Sequence, residues 1–248
     1  MPTYNKSIMT LANNGALPAS IVTGYTNLAQ QNGWTGRKKQ VLSRFKNTVK
    51  ASVYLLVETD TSMAADIAGG LGWGTPGQPC WRTDENRNTV AWDPLKWRDI
   101  DTKQASLSAK PKDLGERHYR SVNWVLLEHR ATGRRCWFGA AHLSNGSNAG
   151  TDRATQAKVL VASIPTGAPI LLGIDRNSLP TSDPAKIISL VLPLLTPDLP
   201  DSFLGNGRQA GTAAIDGLHG TVMIRNVSTC ADTKATDHLL IRAAVTIH

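Results

Sequence analysis

Cysteine is almost missing from this chain, with three in 248 residues (Cys80, Cys136 and Cys230) and no CxxC pair. So sparse and odd a set excludes a disulfide framework and a zinc knuckle, and it makes a reducing, cytoplasmic setting the expectation. Long apolar runs are missing as well. No stretch approaches the roughly 18–20 apolar residues that a spanning helix needs, so no membrane partner is expected. The segment Met1-Pro2-Thr3-Tyr4-Asn5-Lys6 has no basic region leading into an apolar core, and no signal peptide is read there. There is no Walker A sequence to cradle a nucleotide, no HExxH or Cys/His cluster to hold zinc, and no GxSxG elbow to present a serine nucleophile. In the absence of internal repeats and of a long Pro/Ser-rich linker, residues 1–248 are expected to form one domain.

Acidic residues are missing from Met1 to Val57, where Lys6, Arg37, Lys38, Lys39, Arg44, Lys46 and Lys50 carry the charge. The whole chain has a net charge of +8 and a pI near 9.6. That balance favours a polyanionic partner, nucleic acid above all, bound in a salt-dependent way. A solvated basic helix face is the plainer account of the run Arg37-Lys38-Lys39.

What is present is a series of short apolar runs at helix or strand spacing. Val41, Leu42, Phe45 and Val49 recur at helical intervals within residues 37–50, and Ala51 to Val57 then reads as a buried strand ending at Glu58. Residues 69–79 read as a Gly/Pro-rich loop, with Trp73, Trp81 and Trp97 available either to stack on bases or to anchor loops. Thr89–Trp92 reads as a strand stopped by Asp93-Pro94. Residues 120–128 and 135–143 read as a hairpin joined at 131–134. Helices are predicted over 152–164 and 183–195, and further strands over 169–172, 213–216 and 238–245. Strands and helices interleave without strict βαβ alternation, which predicts an α/β sandwich of mixed sheets with helices outside.

Six polar positions fall at strand ends: Asn5, Glu58, His142, Asp175 with Asn177, Asp216, and Asp237 with His238. Carboxylates at such places are costly to desolvate unless they hold a metal or a hydrogen-bond partner. Oxygen donors dominate the set, which favours magnesium or manganese over softer metals. Each residue also has a plainer account, as a turn former, a solvated strand-end acid or a core histidine.

In order and spacing these positions resemble the endonuclease/exonuclease/phosphatase superfamily, the deoxyribonuclease I-like fold. The resemblance rests on Thr3-Tyr4-Asn5, Leu55-Leu56-Val57-Glu58, Ala141-His142-Leu143, Gly173-Ile174-Asp175-Arg176-Asn177, Ala214-Ile215-Asp216 and Thr236-Asp237-His238. Two departures stand out: Ile174 lengthens the usual Gly-Asp-x-Asn, and Thr236 replaces a serine. The resemblance implies a four-layer sandwich of two packed mixed sheets flanked by helices, with the site at one edge of the sheet pair. It implies that Glu58 and Asp237 ligate Mg2+ or Mn2+ with Asn5 orienting Glu58, and that Asp175 positions or deprotonates water. Asn177 would hold the scissile phosphate, Asp216 would pair with His238, and His142 and His238 would stabilise the transition state. Asp84 or Glu85 would be the acid nearest to the first histidine. Arg120 and Tyr119 are expected substrate contacts.

The activity so implied is metal-dependent phosphodiester hydrolysis, and the basic charge directs it toward DNA, by a monomer. A family enzyme acting on a small-molecule or lipid phosphoester, and a non-catalytic nucleic-acid-binding protein that keeps the fold, are the alternative readings.

Overall fold

A computed structural model describes residues 6–10, 12–14, 17–19, 23–25, 34–49, 51–74, 79–108, 120–144, 150–195, 216–230 and 240–247. For the strands between residues 6 and 25, and from 225 to 242, the description is of the backbone.

In chain order the strands are β1 (Lys6–Thr10), β2 (Ala12–Asn14), β3 (Leu17–Ala19), β4 (Thr23–Tyr25), β5 (Val53–Leu56), β6 (Trp81–Thr83), β7 (Thr89–Trp92), β8 (Trp97–Ser106), β9 (Ser121–His129), β10 (Arg135–His142), β11 (Ile170–Asp175), β12 (Asp216–Gly220), β13 (Met223–Cys230) and β14 (Leu240–Thr246). The helices are α1 (Trp34–Arg44), continued by a wider turn through Val49, then α2 (Thr61–Leu71), α3 (Gly150–Ala162) and α4 (Asp183–Ser189).

One sheet has five strands in the order β12-β11-β10-β9-β8, mixed because β10 and β11 run parallel. The strands β13-β14-β1-β4 and β5-β7-β6 form the facing layer, with β1 beside β5. Apolar side chains between the layers make the main core, among them Tyr54, Val90, Trp97, Val125, Leu127, Phe138, Leu171, Leu218 and Val245, joined by Val41, Phe45, Met63 and Ile67 of α1 and α2. A second core of Trp124, Trp137, Leu160, Leu172, Ile174 and Ile188 seats α3 and α4 on the outer face of the five-stranded sheet. The architecture is therefore helices, sheet, sheet, helices, the expected α/β sandwich.

The apolar runs landed where their burial requires. Every residue of β5, β7 and β11 is buried, which explains why they read as continuous runs rather than alternating patterns. Other elements differ from the sequence reading for identifiable reasons. Helix α2 begins before the expected loop, capped by Asp60, whose side chain accepts from the Met63 N–H, and closed by Gly72 at φ 74°. Half of its buried stripe of Met63, Ala64, Ile67 and Ala68 is alanine, so its amphipathic signal is weak. Strand β8 was not expected because it is an edge strand, polar along most of its length. The strand expected to finish at Asp216 instead begins there, and residues 213–215 lie outside the described set. Helix α4 ends at Ser189 rather than running to 195. The residues that follow turn back along the edge of β12, with Leu195 N–H donating to Leu218 O and Gly220 N–H to Pro193 O. Trp73 and Trp97 are buried anchors rather than exposed stacking platforms. Among the described residues, no helix is long and apolar enough to cross a membrane.

Candidate active site

The C-terminal ends of β5, β10 and β11 and the first residue of β12 gather at one pole of the sandwich. Pairing sets the level of each: His142 lies opposite Asp175 across the parallel β10–β11 ladder, and Asp175 lies opposite Asp216 across the antiparallel β11–β12 ladder. Three positions chosen from sequence thus stand side by side on adjacent strands, about 5 Å apart by ordinary strand spacing.

Glu58 reaches them from the facing layer. It follows the buried Val57 in a left-handed conformation, φ 52°, which is uncommon for a residue other than glycine and is held by its neighbours. The Thr59 hydroxyl donates to Val57 O (3.1 Å), the Thr59 N–H donates to Arg87 O (2.8 Å), and the Thr89 hydroxyl donates to Thr59 O (2.9 Å). The result brings Glu58 Oε1 to 3.7 Å from His142 Nδ1, with the acid side chain 26% exposed.

Asn177 is also left-handed, at φ 48°. Asx side chains tolerate this conformation, and here the Asn177 N–H donates to Asp175 Oδ1 at 2.7 Å. The Asn177 amide donates to Leu143 O (2.8 Å) and lies 2.9 Å from His142 Nε2. A carbonyl can only accept, so the amide nitrogen is the atom facing both partners. His142 Nε2 is then an acceptor in this arrangement, and the ring proton sits on Nδ1, toward Glu58. Asp175 Oδ2 is 3.4 Å from the same Nε2, and both Asp175 and His142 are buried. The outcome is a desolvated carboxylate in a fixed orientation beside an imidazole and an amide, a set able to orient water and take its proton.

Two buried networks fix this pole. Gln156 of α3 accepts from the Ser144 N–H (2.9 Å) and donates to Ser108 (2.9 Å), which ties the segment after His142 to the end of β8. Arg153 donates to Ser144 O at 3.2 Å. On the other side, Asp84 accepts from Ser121 (2.6 Å) and from Asn88 Nδ2 (2.9 Å), and Asn123 donates to Arg82 O and Asn88 O. Burial pushes the Asp84 carboxyl up, against the pull of those donors. Asp84 is not the acid beside the first histidine. Asp84 is engaged in tying the β6–β7 hairpin to β9, and the acid facing His142 Nδ1 is Glu58 itself.

Arg120 precedes β9 at the same end of the sheet, its carbonyl accepting from the Leu107 N–H. Asn5, Tyr119, Asp237 and His238 lie outside the described residues, and of Asp216 only the backbone position is described. A magnesium or manganese ion needs hard oxygen donors, and the partly open Glu58 carboxylate fits that need. Among the described residues, no group of three or more His, Cys, Asp or Glu side chains is gathered to hold a metal. Arg176, given no role by the sequence pattern, is buried beneath the site.

No family model and no curated protein matches this sequence. Solved structures do match in three dimensions. An endonuclease/exonuclease/phosphatase from Bacteroides vulgatus is similar at a TM-score of 0.71 and 17% identity, over 88% of this chain and 93% of that one. A mannosyl-6-phosphatase from Bacteroides thetaiotaomicron is similar at 0.68 and 12%, over 86% and 92% of the two chains. TDP2 from D. rerio, complexed with a single-strand DNA product, is similar at 0.68 and 10%, over 88% and 94%. Identities this low speak to architecture alone, and the architecture of this chain is the endonuclease/exonuclease/phosphatase fold, the deoxyribonuclease I-like sandwich.

Proposed function

We propose that this chain is a magnesium-dependent phosphodiesterase that hydrolyses nucleic acid, DNA before RNA, by in-line attack of an activated water. The observation that carries the reading is the meeting of Glu58, His142, Asp175 and Asn177 from three separate strands at one pole of this fold. Asp175, held by the Asn177 N–H, orients the water and accepts its proton. Substrate would displace the Asn177–His142 contact, freeing the amide for the scissile phosphate and a protonated His142 Nε2 to stabilise the transition state, and Asp216 on the adjoining strand would pair with His238. Glu58 and Asp237, with Asn5 orienting Glu58, would hold the cation, which would supply charge neutralisation at the phosphoryl group. Arg120 and Tyr119 contact the substrate backbone. The net charge of +8 and the DNA-bound structural neighbour support the choice of nucleic acid.

The fold similarity to a mannosyl-6-phosphatase favours a second reading, hydrolysis of a small phosphomonoester. Incubation with supercoiled plasmid or with a sugar phosphate, each with magnesium and with EDTA, separates the two. Nicking that needs magnesium and is lost in Asp175→Ala supports the nuclease. Phosphate release from the sugar alone replaces it with the second reading, and inactivity on both refutes both.

A further inference from the structure

Between Asp175 and Asn177 stands Arg176, whose side chain is 1% exposed. Successive residues at a strand end face opposite ways, and Arg176 enters the layer between the five-stranded sheet and α4. Its Nη1 lies 3.1 Å from His219 Nε2, and His219 Nδ1 lies 2.9 Å from Leu192 O. Leu192 O can only accept and a guanidinium can only donate, so His219 carries its proton on Nδ1 and accepts at Nε2. The ring therefore links two structures in one line: the residue inside the Asp-x-Asn pair and the segment that covers the edge of β12.

The same guanidinium needs room on β12. A Cβ built on Gly217 would sit 2.7 Å from Arg176 Nη1 and 2.9 Å from Leu194 Cδ1. Gly217 directly follows Asp216 and pairs with Ile174 across the ladder. Its backbone conformation is one that any residue adopts, so the requirement for glycine there is one of space.

We propose that Arg176 is a positioning residue: its buried guanidinium, held by His219 and seated in the space left by Gly217, clamps the Asp175–Asn177 segment to the first residues of β12. Burying a cation is costly, and an apolar side chain of similar volume would fill the space without that cost. What the guanidinium adds is direction, because its planar donors fix one angle between the end of β11 and the start of β12. Asp175, Asn177 and Asp216 all hang from those two chain segments.

The kinetic part of this inference rests on the phosphoesterase reading, and the exchange part does not. Arg176→Met is expected to lower kcat by about 10²-fold with KM changed less than threefold, the pattern of misplaced rather than missing groups. Arg176→Lys should recover part of the loss. Gly217→Ala should lower kcat in the native background and lower it less in the Arg176→Met background, where the guanidinium is gone. Independently, amide exchange of the Asn177 N–H, bonded to Asp175, should speed up at least 10-fold in Arg176→Met while the Trp124 amide of β9 does not change. An unaltered Asn177 amide, or a lower melting temperature with kcat retained, overturns the proposal. A raised KM at constant kcat overturns it in favour of direct substrate contact. Inactivity of the native protein on every phosphoester would remove the proposed function and leave the exchange experiment to decide the clamp.

Discussion

His219 is fully buried with its Nε2 facing a guanidinium, and burial, reinforced by Arg176, pushes the imidazole from its ordinary 6.5 down to about 3. The sign of the resulting pH dependence is fixed by which state binds the proton. Unfolded, the ring protonates below pH 6.5; folded, it stays neutral until about pH 3. Its contribution to stability is whole above the unfolded value and is lost as pH falls from 6.5 toward 3. Each pH unit below the unfolded value costs about 1.4 kcal/mol. Moving from pH 7 to pH 5 should therefore remove about 2 kcal/mol through this one residue, a large share of a typical domain's stability.

The assay is urea unfolding at both pH values, followed by tryptophan fluorescence and circular dichroism to establish two-state behaviour. His219→Gln removes the titration and is expected to be less stable at both pH values. The quantity read is the pH 7 to pH 5 difference, which should be about 2 kcal/mol smaller in the variant. Comparison within a pair cancels the groups common to both, including His129, which burial also lowers, and Glu128, which Arg135 and Arg98 hold below its ordinary range. Equal pH differences in the two proteins would refute the reasoning, since they would mean that His219 is open to protonation in the folded state.

The remaining predictions concern the site and its supports. Asp175→Ala should lower kcat on plasmid by ~10²-fold or more, read as initial nicking rates at saturating magnesium. Glu58→Gln should shift half-activation to higher magnesium, and an unchanged metal titration would remove Glu58 from the ligand set. Asp84→Ala leaves the buried Ser121 hydroxyl and the buried Asn88 backbone N–H short of an acceptor, so a loss of about 2–4 kcal/mol is expected in urea unfolding. Substrate KM should rise steeply between ~50 and ~200 mM salt if the basic surface binds a phosphodiester backbone, and a flat response would favour the small phosphomonoester.

Much of the architecture was legible because burial on both faces writes itself into sequence as apolar runs: Thr89–Trp92 was read in place, and the runs 51–57 and 169–172 mark the strands Val53–Leu56 and Ile170–Asp175. The site residues were legible for a related reason, since acids and amides directly after such runs must stand at strand ends. What the linear order could not supply was which ends meet. Parallel pairing of β10 with β11 sets His142 level with Asp175, and a left-handed turn outside the apolar pattern turns Glu58 toward that histidine. The same limit hid β8, whose outer edge faces water, and α2, whose buried stripe is half alanine. It also hid the contrast among the arginines. In sequence Arg176 is one more positive charge in a basic chain, and only the packing of β12 against the residues after α4 makes it a buried one. Sequence alone fixed the chemical types that could act, because residue identity and local burial are properties of short segments. Tertiary structure decided their distances and their hydrogen-bond partners, because both depend on residues far away in the chain.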